Sequence, residues 1–71
     1  MIEIAVAIKI KDRALAAVAE LDGIVTDVQE LCSEEDFLAI KKMVGLSIGD
    51  IFTNLLGPVL QQHPKIDDLH D

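Results

Sequence analysis

The stretch Ile48–Leu60 reads IGDIFTNLLGPVL, and the fold of the chain turns on it. Its apolar residues Ile48, Ile51, Phe52, Leu55, Leu56, Val59 and Leu60 recur at alternating steps of three and one. Residues three and four apart share one side of an α-helix, so this spacing predicts a helix with a wide apolar stripe. A stripe of that width needs cover from more than one neighbour.

Towards the N-terminus, Phe37, Leu38, Ile40 and Val44 extend the stripe. Gly45-Leu46-Ser47 interrupts it, with Gly45 a candidate helix end and Ser47 a candidate cap. Continuity is favoured, because Phe37, Ile40, Val44, Ile48, Ile51 and Leu55 keep helical spacing across the interruption. Ser33 followed by Glu34, Glu35 and Asp36 marks the helix start: the hydroxyl caps a free N–H and the acids complement the helix dipole. Towards the C-terminus, Gly57-Pro58 predicts a kink, since proline removes a hydrogen bond and crowds the carbonyl of Asn54. His63-Pro64 ends the helix, which would span residues 34–62, or about 43 Å. Residues 64–71 are expected to be a frayed acidic tail.

A second seam lies upstream. Ile10, Ala14, Ala17, Leu21, Ile24, Val28 and Leu31 recur at steps of four and three, with Val18, Val25 and Cys32 widening the seam. Glu20, Asp22, Asp27 and Glu30 fall off it. Gly23 is read as a glycine within the helix. Residues 2–10 allow two readings: Ile2, Ile4, Val6, Ile8 and Ile10 alternate as in a half-buried strand, yet no second strand candidate exists to pair with. Helix is favoured, and a strand over 2–10 paired between subunits is the alternative.

The expected fold is therefore all-α, a single domain over residues 1–71. An antiparallel two-helix hairpin, with helices over about 3–31 and 34–62, would dimerise into a four-helix bundle. Its expected interface residues are Leu21, Ile24, Val28, Val44, Ile48, Ile51, Phe52, Leu55, Leu56 and Val59. Size points the same way. A chain of 71 residues is marginal alone, and a single cysteine, Cys32, gives no internal disulfide.

The net charge of −7 argues against nucleic acid and against anionic membrane surfaces. No basic and apolar leader opens the chain, and the longest unbroken apolar run is far short of a bilayer span. A cytoplasmic protein is expected. No phosphate loop, nucleophile–histidine motif or paired carboxylates can be found, so an enzyme is not expected. No cofactor or metal is expected either. His63, Asp67, Asp68, His70 and Asp71 read as a solvated tail, and Cys32 reads as a structural thiol.

The row Gly45, Gly49, Thr53 and Gly57 is read as close helix packing. A small, acidic, helical chain is also similar to acyl carrier proteins, which carry their cofactor on the serine of an Asp-Ser-Leu motif. Here Leu46-Ser47-Ile48 lacks the aspartate. The function expected is a homo-oligomeric interaction module, a dimer first, with acidic outer faces suited to a basic protein partner. The alternative is a carrier or small-ligand bundle with a pocket near Gly45 and Gly49.

Overall fold

Two long helical arms joined by one tight turn make up the structure, a computed structural model that describes residues 1–69. Helix α1 runs Ile4–Val28 and α2 runs Glu34–Asp50. The second arm continues without a break through a π-helical segment, Ile51–Leu56, into α3, Gly57–Gln62. A short 3₁₀ turn, Ile66–Asp68, closes the described chain. All regular structure among the described residues is helical, so residues 4–10 begin the first helix and residues 2–10 form no strand. Ile4 onwards fits a helix because Ala5, Ala7 and the later alanines favour it, and an isolated strand would leave its backbone unpaired.

The turn is built as the acids around Ser33 predict. The Ser33 hydroxyl accepts a hydrogen bond from the Asp36 N–H at 3.1 Å, and the first turn of α2 holds Glu34, Glu35 and Asp36. Replacing Ser33 with Ala should destabilise the fold by about 1 kcal/mol, measurable by urea titration. Both arms pass through their glycines. Gly45 and Gly49 lie within α2, and a Cβ at either would meet open space. Gly45→Ala and Gly49→Ala should each therefore raise stability, by ~0.5–1 kcal/mol, in thermal unfolding of the dilute protein.

Gly57-Pro58 produces something other than a simple kink. Pro58 has no N–H to offer the Asn54 carbonyl, and the helix widens just before it. The Gly57 N–H reaches back five residues to the Phe52 carbonyl. Glycine eases the fit here, because an added Cβ would lie 3.1 Å from that same backbone oxygen. The widened turn also shifts the phase of everything after Ile51. In a regular helix Leu55 would follow Ile48 and Ile51 on the inner side. Here Leu56 takes that place, 2% exposed, and Leu55 turns outward, 43% exposed.

The hydrophobic core of the chain is thin and sits at the open end of the hairpin. Ala7, Val59 and Ile66 are buried together, with Ile2, Ile8, Ile10 and Leu60 half-covered around them. Ala14, Val44 and Leu56 continue it along the seam between the arms. Within the tail expected to fray, Ile66 is fully buried against α1 and begins the short 3₁₀ turn. His70 and Asp71 lie outside the described residues.

Lys11 is what holds it. The side chain is 1% exposed, and its ammonium donates to the carbonyl oxygens of Ile66, at 2.9 Å, and of Leu69. The Asp67 carbonyl lies at 3.5 Å and a carboxylate oxygen of Asp12 at 3.4 Å. A buried ammonium is tolerated only with such a set of oxygen partners. Ala7 and Ala14, one turn to either side, are small enough to leave the slot in which the lysine lies. A second tie fixes the N-terminus. The Gln62 side-chain oxygen accepts from the Ile2 N–H at 2.8 Å, and His63 Nε2 lies 2.6 Å from the Ile2 carbonyl, which it meets as a donor.

Candidate functional site

Of the ten residues expected at an oligomer interface, three are used inside the single chain. Val44, Leu56 and Val59 are 8%, 2% and 3% exposed and form the seam between the arms. Leu21, Val28, Ile48 and Ile51 are half-buried. Ile24, Phe52 and Leu55 are exposed on the hairpin surface. The structure thus divides the expected set between an inner seam and an outer surface.

The outer surface is larger than the ten residues suggested. Ile4, Val6, Leu15, Leu31, Leu38, Met43 and Leu46 are also exposed. On α1 the pattern follows a heptad. Ala7, Ala14, Leu21 and Val28 face the other arm, and Lys11, Val18 and Val25 lie beside them. Ile10, Ala17 and Ile24 lie on the opposite flank, Ile10 half-buried and Ile24 40% exposed, and Leu31 in the turn beyond α1 is 81% exposed. Next to that row, Val6, Arg13, Glu20 and Asp27 recur at intervals of seven. An apolar row flanked by charges is how a helix presents itself to a second helix pair.

A shallow apolar depression of about 480 Å³ opens on this flank. Lys9, Ile10, Arg13, Ala14, Ala17 and Leu55 line it. Its origin lies in two sequence features. The alanines of α1 contribute almost no side chain, and the π-helical segment swings Leu55 outward to form the far wall. Gly45 and Gly49 face open space, so the cavity lies elsewhere than the position expected for a ligand pocket.

The other candidate residues are occupied locally. Ser47 lies within α2, where its hydroxyl donates to the Met43 carbonyl at 3.0 Å. The Cys32 thiol is half-buried and donates to the Val28 carbonyl at 3.3 Å. Of the five tail residues considered for a metal, His63 is engaged with Ile2, and His70 and Asp71 lie outside the described residues. No cluster of three or more His, Cys, Asp or Glu side chains with metal-binding spacing occurs among the described residues. By length and composition alone, the continuous helical arm Glu34–Gln62 could cross a bilayer.

Sequence reading missed Lys11, and it placed Ile10, Ala17, Ile24 and Leu31 in one seam with the residues that face the other arm. The signal for Lys11 was available: it falls four residues after Ala7 and three before Ala14, on the buried side. Lysine is so seldom buried that helix patterning assigns it to water. The chain matches no known protein-family model, no curated protein and no solved structure.

Proposed function

We propose that the protein is a homodimeric interaction module whose hairpins pack through the open apolar flank into a four-helix bundle. The observation that carries this reading is excess surface. The chain exposes 5328 Å², whereas a compact monomer of its mass exposes about 4,300 Å². The excess is close to the ~800 Å² that each partner buries in a standard interface. Its shape agrees: the radius of gyration is 14.9 Å, against roughly 11 Å for a compact chain of this length.

The proposed role is cytoplasmic scaffolding. Between Ala14 and Ile40 the chain carries Glu20, Asp22, Asp27, Glu30, Glu34, Glu35 and Asp36 and no Lys or Arg. A dimer would offer this acidic end to a basic protein surface, with association weakened by salt. A catalytic role is not part of the proposal.

The test is thermal unfolding over roughly a hundredfold range of protein concentration, because association stabilises by mass action. A midpoint that rises with concentration supports the dimer. A cooperative midpoint independent of concentration overturns it. Flotation with neutral phosphatidylcholine vesicles is the companion measurement. A chain that is monomeric in buffer and partitions onto vesicles uses the flank as a lipid face, and the proposal falls.

A further inference from the structure

The depression between α1 and the π-helical segment has an apolar floor and a charged rim. We infer that it takes a single-chain anionic amphiphile, a free carboxylate with a hydrocarbon tail of about ten carbons. The floor is hydrocarbon: Ile10, Ala14 and Ala17 from α1 and Leu55 from the facing segment. The volume of about 480 Å³ falls within the ~300–1,000 Å³ of small-molecule sites. From Lys9 to Ala17 the depression follows α1 for about 12 Å, roughly the reach of an extended ten-carbon chain.

The rim supplies polarity. Lys9 and Arg13 both line the depression, and being four residues apart they share one side of α1, about 6 Å from each other along its axis. Both are exposed, so their stems can lie along the apolar wall while the charged ends reach water. The chain has six basic residues against thirteen acidic ones, and two of the six border this one depression. Lys11, between them in sequence, turns the other way into its buried slot, with an Asp12 carboxylate oxygen 3.4 Å from its ammonium. At the opposite end Glu20 follows Ala17 by about one turn. A carboxylate headgroup is therefore favoured at the Arg13 end, where the guanidinium fork can pair with both oxygens, and disfavoured at the Glu20 end. The tail then lies along Ala14, Ala17 and Leu55.

A free amphiphile fits better than a bilayer lipid. A depression of this length and volume suits one chain, and a net charge of −7 opposes approach to an anionic membrane surface. The site is complete within one hairpin, so the inference does not rest on the dimer reading. A second copy packed on the flank would cover the bound chain.

Calorimetric titration of the full chain with sodium decanoate is the test. One site per chain with a Kd of about 0.1–1 mM is expected. Decyltrimethylammonium, with the same tail and the opposite charge, should bind at least about tenfold more weakly. Arg13→Glu should weaken decanoate about tenfold and leave decyltrimethylammonium no weaker than before. Ala17→Phe should fill the depression and weaken decanoate by about tenfold or more. Ala17 is exposed, so this variant should keep its helical signal. Equal affinity for the two amphiphiles overturns the inference, as does unchanged decanoate binding in folded Ala17→Phe or in Arg13→Glu. No saturable binding below about 5 mM decanoate also overturns it. So does flotation with vesicles containing phosphatidylglycerol, which would assign the depression to a bilayer. Mass keeps this inference and the dimer reading apart. A chain that sediments at 7.7 kDa without ligand and still binds decanoate supports the site and contradicts the dimer; a dimer that ignores decanoate does the reverse.

Discussion

Lys11→Met should lower the stability of the protein by about 3 kcal/mol and release the C-terminal turn. The lysine ammonium is the donor for the Ile66 and Leu69 carbonyls, and it balances the Asp12 carboxylate. Methionine fills much of the same slot but gives no hydrogen, so the Leu69 carbonyl loses this donor and the Ile66 carbonyl keeps only the Leu69 N–H. Ile66 then has little to keep it on Ala7 and Val59. For a chain of this size the loss corresponds to a fall in Tm of roughly 10–20 °C.

Amide exchange locates the effect. The Leu69 N–H, bonded to the Ile66 carbonyl at 2.9 Å, should lose protection first. Removing residues 65–71 provides the complement. That truncation exposes Lys11 to water, so adding Lys11→Met to it should cost little more. Full additivity of the two changes would show that Lys11 does not act through the tail.

Leu56→Asp and Leu55→Asp should have opposite consequences although the residues are adjacent. Leu56 is buried between the arms, and a carboxylate there has no partner. The cost, on the order of 4–5 kcal/mol, is comparable to the whole stability of a small domain, so helical circular dichroism should be lost. Leu55 forms the outer wall of the depression and is 43% exposed. Leu55→Asp should keep its helical signal and its compact monomer while losing self-association. A regular helix through Gly57 would reverse this order, placing Leu55 inside. The pair of variants thus tests the π-helical segment and the outer flank together.

Much of the fold is legible in the sequence, for identifiable reasons. Ser33 and the three acids after it mark the turn, because capping and the helix dipole are local effects. The two apolar seams mark the arms, because the 3.6-residue period is written in side-chain type. The misreadings arise where a distant or geometric effect decides. Pro58 reads as a kink, but the chain relieves it with a wide turn that moves Leu55 out and Leu56 in. Ile66 reads as a stray hydrophobe in an acidic tail. Its burial depends on a slot between Ala7 and Ala14 and on a lysine more than fifty residues away.

The candidate surface was legible in part for the same reason. Ile24, Phe52 and Leu55 were recognisable from their spacing. Val44, Leu56 and Val59 were grouped with them because a seam within one chain and a seam between two chains have the same composition. Only the hairpin geometry separates the side chains that meet the other arm from those left outside it.

Sedimentation equilibrium on the unmodified protein tests the central claim most directly. The account predicts a mass of twice the 7.7 kDa chain, falling towards that of one chain on dilution or after Leu55→Asp. A mass of 7.7 kDa at every concentration, in a protein that still unfolds cooperatively, would contradict it.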